Sequence, residues 1–251
     1  MVQLIKKHKV LILAAGYGSR MKQVGENLPK CLLKYNNKSL LDHIIEHLIK
    51  LGVNDINVAL GYKSNKVILS LKKYKNIKFT FYKVDDYRTV GSAFSWYLFK
   101  KIWNKDKKPL MIMHADIFFQ HELIRKIFYS KQKNIIGTVT KNRKNIKMKG
   151  WIAENNKNNL IEEVRQKKFT DDLCKEEIAC INRFSVKTTN YIFLFMNKFF
   201  LKNGKNFTWE ILLNEIIKQK KIKIYTNNYY NYWFNINTRA NYLNLKKQKI
   251  K

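Results

Sequence analysis

Proline is nearly absent from this chain, with two residues, Pro29 and Pro109, among 251, and glycine is scarce at nine. No Pro- or Ser-rich stretch splits the sequence and no internal repeat is visible, so one domain over 1–251 is the simplest reading. Only three cysteines occur, Cys31, Cys174 and Cys180, with no Cys-x-x-Cys pair. That pattern gives no disulfide framework of the kind small secreted domains use, and reduced thiols in a cytoplasmic protein are expected. Long apolar runs are missing as well. The dense stretch Tyr191 to Met196 falls far below the ~20 residues that cross a bilayer, so no membrane partner is expected. Lys6-Lys7-His8-Lys9 followed by Val10 to Ala15 imitates a signal peptide, but the run stops at Gly16 and Arg20 follows, so export is not expected either.

Negative charge is the last scarcity: 18 Asp+Glu face 50 Lys+Arg, a net charge of +32. Such an excess is the usual footprint of a nucleic-acid binder. Only 7 of the basic residues are arginine, however, and bidentate contacts to bases and phosphates need the guanidinium fork that lysine lacks. Lysine travels here with abundant Asn, Ile, Tyr and Phe, all residues with A/T-rich codons. Genome composition therefore explains much of the charge, and nucleic acid is not expected as a partner. With 45% hydrophobic and 14% aromatic residues there is ample material for a core.

The hydrophobic pattern alternates between the two regular periods. Val10 to Ala15 reads as a short buried strand that breaks into a loop at Gly16 to Gly18. Apolar residues from Leu40 to Ile49 recur at helical spacing, with Ser39 as N-cap and Gly52 as stop. Ile56 to Leu60 is a strand, and strand, loop, helix, strand makes a βαβ unit with a parallel sheet. The alternation continues with a helix near Asn65 to Tyr74, a strand near Ile77 to Val84, a helix from Ser92 to Trp103, a strand Leu110 to Met113 and a helix from His121 to Ser130. Further on, Ile135 to Thr140, Gly150 to Ala153, Asn190 to Met196, Ile222 to Thr226 and Tyr232 to Ile236 read as strands. Asn142 to Lys149 and Asn155 to Asn159 read as polar connections, and Trp209 to Gln219 as an amphipathic helix. Lys246 to Lys251 reads as a frayed, soluble end. Ligands of such α/β sheets sit beyond the carboxyl ends of the strands, which is where the loop after Leu13 and the Asp116 after Met113 both lie.

The strongest local signal is Leu13-Ala14-Ala15-Gly16-Tyr17-Gly18-Ser19-Arg20, followed by Pro29-Lys30 ten residues after the arginine. A glycine-rich turn after a strand lets backbone N–H groups approach a phosphate that a Cβ would obstruct. Arg20 and Lys30 then supply positive charge. A tight turn alone would explain the glycines, but not the arginine and the Pro-Lys at this distance.

This segment resembles the signature of nucleotidyltransferases that activate sugar 1-phosphates and related phosphorylated molecules. The resemblance runs on through Ser39 to Gly52, Val58 to Tyr62, Gly91-Ser92-Ala93, the strand ending in Asp116, Trp209-Glu210, and Trp233 to Thr238 with Tyr242. It implies an α/β, Rossmann-like nucleotide-diphospho-sugar transferase fold with a mixed, mainly parallel central sheet flanked by helices. The nucleotide-binding half would span about 8–130 and the acceptor-binding half about 131–245. It also implies Mg²⁺-dependent transfer of NMP from an NTP to a sugar 1-phosphate with release of pyrophosphate, giving an activated NDP-sugar for glycan synthesis. Leu13, Ala14, Ala15, Gly16, Gly18, Ser19, Arg20, Gly61, Gly91 and Ser92 would hold the nucleotide. Arg20, Lys30 and Asp116 would be the catalytic residues, with Asp116 and Asn235 on the metal. Lys167, Arg165 and Glu210 would meet the acceptor. The implied partners are an NTP and a phosphorylated small molecule, and a homo-oligomer fits the family.

The departures open alternatives. Gln23-Val24-Gly25 stands where the family carries Pro and Thr, and Asn235 stands where sugar-phosphate members place a second metal carboxylate. Asn237 is uncharged where some phosphocholine enzymes have Asp. A cytidylyltransferase for phosphocholine or a phosphonate is one alternative. A catalytically silent nucleotide-binding relative and a basic nucleic-acid binder are others. His43 and His47 share a helix face at i, i+4 but lack a third ligand for zinc.

Overall fold

Side chains of the first strand, β1 (Lys9–Ala14), sort by parity because successive residues of a strand point to opposite faces. Val10, Ile12 and Ala14 enter one buried cluster, and Leu11 and Leu13 enter another on the other face. Near-continuous burial on both sides marks β1 as a central strand of a parallel sheet. The computed structural model describes residues 8–24, 27–140, 149–168, 176–230 and 232–250.

β1 lies between β4 (Asp55–Leu60) and β6 (Leu110–His114), and β4 in turn pairs with β5 (Lys78–Lys83), all in parallel. Beyond β6 the sheet becomes mixed. β11 (Glu176–Phe184) runs antiparallel to β6, with Ile181 opposite Met113. It also pairs with β8 (Ile135–Thr140) and β9 (Lys149–Asn155). β10 (Ile161–Lys168) extends β9, and β12 (Tyr225–Tyr229) lies parallel to β8. One sheet therefore joins the amino- and carboxyl-terminal halves.

One face of the sheet is covered by α1 (Leu40–Lys50), α2 (Ser64–Leu71) and α5 (His121–Tyr129). The other is covered by α3 (Ser92–Leu98), the short α4 (Lys100–Trp103), α6 (Val186–Asn203) and α7 (Trp209–Lys218). α1 begins at a capping box, in which Ser39 Oγ accepts from the Asp42 N–H at 3.0 Å and Asp42 bonds back to the Ser39 N–H, and it ends before Gly52 at φ +78°. Ser39 and Gly52 delimit the helix as the sequence pattern predicts.

Residues 190–196, read above as a strand, lie instead inside α6. Their β-branched and aromatic side chains favour extended structure locally, yet Ile192, Phe193, Met196 and Phe200 are buried at helical spacing. Packing overrides propensity there. The boundary residues carry the helix signal: Ser185 Oγ accepts from the Thr188 N–H at 3.2 Å, and Gly204 follows the helix at φ +82°.

Two small sheets complete the fold. β2 (Lys34–Tyr35) and β3 (Lys38–Ser39) form a hairpin whose turn residues Asn36 and Asn37 both have positive φ, as a two-residue hairpin requires. β7 (Ile117–Phe119) pairs antiparallel with β13 (Trp233–Asn235). The described residues of the 246–251 stretch, up to Ile250, are anchored rather than frayed. α8 (Arg239–Lys246) starts at a Thr238/Asn241 capping box. Leu245 and Ile250 then join Met21, Leu33, Tyr35, Leu40, Phe118 and Ile236 in a third buried cluster. The Ile250 N–H donates to Tyr35 Oη at 3.1 Å, and that hydroxyl donates to the Gln248 carbonyl at 2.8 Å. The apolar Ile250 decides this against the lysines around it. The polar connection read at 142–149 falls almost wholly outside the described residues. No described helix is long and apolar enough to cross a membrane.

Candidate functional site

The turn after β1 is shaped by its glycines. Gly18 sits at φ +70°, and a Cβ there would meet Lys30 Cγ at 2.9 Å. Gly18 thus permits both the left-handed turn and the passage of the Lys30 methylene stem beneath it. A Cβ on Gly61 would lie 2.4 Å from the Ala15 carbonyl, so Gly61 brings the end of β4 against the loop rather than lining the cavity. A Cβ on Gly16 would meet nothing within 4 Å, leaving its backbone open.

Asp116 follows β6, and strand pairing brings the chain's distant end to it. Asn235 is opposite Ile117 in the β7–β13 pair, and the Ile236 N–H donates to the Asp116 carbonyl at 2.8 Å. Lys30 Nζ is ion-paired with Asp116 Oδ2 and donates to Asn237 Oδ1 at 3.3 Å. An Arg20 guanidinium nitrogen donates to the same Asn237 oxygen at 3.4 Å. Burial opposes ionisation of Asp116, but the Lys30 ammonium above all, with His114 and hydrogen bonds, outweighs it and holds the carboxyl below the usual carboxylate range. Asn235 Oδ1 is buried and has no hydrogen-bond partner. An orphaned buried oxygen is costly unless something takes it up.

The opposite wall is built by α3 and α7. Gly91 precedes α3, and Ser92 Oγ accepts from the Trp209 N–H at 3.0 Å. That bond ties the start of α7 to α3 and delivers Glu210, 5% exposed, to the site. These walls enclose a cavity of about 250 Å³ lined by Leu13, Ala15, Gly16, Arg20, Tyr87, Val90, Gly91, Ser92, Ser95, His114, Asp116, Trp151, Thr208, Glu210, Asn235 and Asn237.

The cavity therefore collects most of the residues read from sequence, from five separate segments of the chain. Several others lie elsewhere. Ala14 faces the α1 side of the sheet, and Ser19 is exposed on the loop. Arg165 is not at the cavity: its guanidinium pairs with Glu154 and lies 3.9 Å from Glu163. It belongs to β10, where Glu154 of the neighbouring β9 and Glu163 of its own strand take it up, instead of to a loop that could reach an acceptor. Lys167 is also in β10, and its side chain lies outside the described residues. Tyr87, Val90, Ser95, Trp151 and Thr208 were missed, because no local motif marks them. His114 and Asn237 adjoin residues that were found, Asp116 and Asn235. His43 Nε2 and His47 Nε2 bond to the Tyr35 and Phe119 carbonyl oxygens at 3.0 and 2.9 Å.

Residues 9–233 match the model of the nucleotidyl transferase family. Among curated proteins, mannose-1-phosphate guanyltransferase of Aspergillus oryzae is 30% identical over 134 residues, covering 52% of this chain and 36% of the relative. CTP:phosphoglutamine cytidylyltransferase of Campylobacter jejuni is 34% identical over 125 residues, 49% of each chain. This chain thus spans a third to a half of the length of these relatives. Among solved structures, CTP:phosphocholine cytidylyltransferase from Streptococcus pneumoniae superposes with a TM-score of 0.77 at 21% identity, covering 96% of this chain and 98% of that one. The inositol-1-phosphate CTP transferase from T. maritima gives 0.76 at 13% identity, covering 98% of both. The Rossmann-like fold with its mixed, mostly parallel sheet is the one these structures share.

Proposed function

Because the chain belongs to the nucleotidyl transferase family, we propose that it transfers NMP from an NTP to a sugar 1-phosphate and releases pyrophosphate. One observation carries this reading: the phosphate-type loop, Arg20, the Lys30–Asp116 pair and the orphaned Asn235 oxygen converge on one cavity at the carboxyl ends of β1 and β6. The hydroxyls and amides that line the cavity with Glu210 suit a polyol acceptor, in keeping with the mannose 1-phosphate for which the 30%-identical guanyltransferases are named.

In this reading the acceptor phosphate attacks the α-phosphorus in line, so the protein's work is to position two polyanions and offset developing charge. The Gly16 backbone and Arg20 receive the triphosphate. Lys30, held in place by Asp116 and Asn237, presents its ammonium to the α-phosphate, where charge grows in the transition state. An Asp carboxylate beside an unpartnered amide oxygen is an oxygen-only donor pair that fits Mg²⁺, so Asp116 and Asn235 would hold it. When bound, the ion would neutralise phosphate charge. Glu210 and the first turn of α7 face the acceptor.

The test is pyrophosphate release with Mg²⁺, each of CTP, GTP, UTP, dTTP and ATP, and pooled sugar 1-phosphates and phospho-alcohols. Turnover with one nucleotide and sugar 1-phosphates, reduced about 10²-fold or more in Asp116→Asn, is the expected result. Turnover confined to phospho-alcohols would move the acceptor class to phosphocholine-like molecules. Nucleotide binding without turnover in any well would make the chain a silent relative.

A further inference from the structure

A second donor set stands at the same cavity, with His114 and Glu210 in its lining and Cys180 buried next to them. One imidazole nitrogen of His114, Cys180 Sγ and a carboxylate oxygen of Glu210 lie within 4.8 Å of one another. Three separate elements supply them: the end of β6, the middle of β11 and the first turn of α7. Cys180 and Glu210 are 2% and 5% exposed. His114 Nε2 is buried without a hydrogen-bond partner, and Glu210 has no ion-pair partner among the described residues. The link between Glu210 and Cys180 is a thiol hydrogen bond of 3.8 Å, a weak one for a buried carboxylate.

The backbone adds an independent sign. Cys180 sits at φ +59°, a conformation that a side chain with a Cβ adopts only under strain. β11 slips register against β8 between Ile178 and Asn182, two residues to either side. Such bulges re-aim a side chain, and this one sets the cysteine sulfur against Glu210.

We propose that His114, Cys180 and Glu210 bind a divalent ion of the Zn²⁺ class, leaving one coordination position open to the cavity. Nitrogen, sulfur and oxygen donors together select borderline-soft metals, and three protein ligands leave the fourth position to water or to an oxygen of a bound molecule. Cys180 releases its thiol proton to solvent on ligation, so the bound sulfur is a thiolate. The Asp116/Asn235 pair carries oxygen alone and remains a site for a hard cation. The assignment rests on the donor geometry and stands whether or not the chain turns over nucleotides.

Co²⁺ added to the full chain tests it, because thiolate ligation gives a charge-transfer band in the near ultraviolet that oxygen and nitrogen ligands do not. The band is expected to saturate at one equivalent and to vanish on addition of Zn²⁺. It should persist in Cys31→Ser and Cys174→Ser and be lost in Cys180→Ser, with Zn²⁺ affinity lowered about tenfold or more. A wild-type chain without the band, or a folded Cys180→Ser that keeps it, overturns the proposal. Should Cys180→Ser fail to fold, Glu210→Gln decides: a loss of Zn²⁺ affinity of about tenfold supports the site, and unchanged affinity overturns it.

Discussion

Replacing Gly91 by alanine tests whether the cavity wall depends on close backbone approach. Gly91 has φ −85° and ψ 174°, values any residue adopts, so conformational freedom is not what glycine supplies here. Space is. A Cβ at Gly91 would lie 1.9 Å from the Phe207 carbonyl oxygen, 2.3 Å from its carbon and 2.6 Å from its nitrogen. Real Cβ atoms do not come within 3.0 Å of such atoms, so the backbone of 205–208 or the start of α3 must retreat by about an ångström. Overpacking of this kind costs roughly 1–3 kcal/mol. The retreat also strains two bonds that lace these segments, Gly91 N–H to the Lys205 carbonyl at 3.0 Å and Ala93 N–H to the Phe207 carbonyl at 3.2 Å, each worth about 0.5–1.5 kcal/mol. Gly91→Ala is therefore expected to cost about 3 kcal/mol in urea unfolding, a fall in Tm of roughly 6–12 °C for a chain of this size. Gly16→Ala is the internal control: its Cβ meets nothing within 4 Å, so stability should change by less than about 0.5 kcal/mol. In the proposed reading its NTP affinity should fall, because the new methyl stands where the phosphates enter. If Gly91→Ala were as stable as Gly16→Ala, the steric account of the α3 wall would be wrong.

Two further outcomes are expected. Asn235→Asp adds a charged oxygen at the orphaned position beside Asp116, so the Mg²⁺ concentration giving half-maximal pyrophosphate release should drop, by about tenfold. An unchanged titration would remove Asn235 from the metal site. Burial pushes the His47 imidazole down to about 4, against the bond from its Nε2 to the Phe119 carbonyl and with help from neighbouring His121 and Lys50. The folded chain thus resists protonation that the unfolded chain accepts below pH 6.5. Stability is fully present above that pH and lost as pH falls towards 4, by about 2–3 kcal/mol between pH 7.5 and 4.5. Urea midpoints at the two pH values should show the loss, and His47→Gln, which keeps a donor to the carbonyl, should flatten it. An equal loss in that variant would place the acid sensitivity elsewhere.

The first half of the fold was legible because its signals are local. The apolar run of β1, the Ser39 cap and Gly52 stop of α1, and the glycine-rich loop leading to Arg20 each sit within one short stretch of chain. The second half hid for the opposite reason. β10 and β11 carry charged and polar residues at positions that only neighbouring strands make tolerable, as when Arg165 is taken up by Glu154 across the hairpin. Residues 190–196 have strand propensity and helical burial, and only the packing of α6 on α3 and α7 settles which prevails.

For the site, the residue types and spacing of Gly16, Gly18, Arg20, Lys30 and Asp116 were enough to raise the expectation of phosphate binding from the sequence alone. Strand pairing decided who joins them. β13 carries Asn235 across more than a hundred residues of chain to Asp116, the Ser92 hydroxyl draws Glu210 in through the Trp209 N–H, and a bulge in β11 turns Cys180 towards His114 and Glu210. A sequence pattern records what a residue can do within one turn or one strand. Contacts between distant elements arise only when burying both faces of the sheet selects one register, and that choice is tertiary.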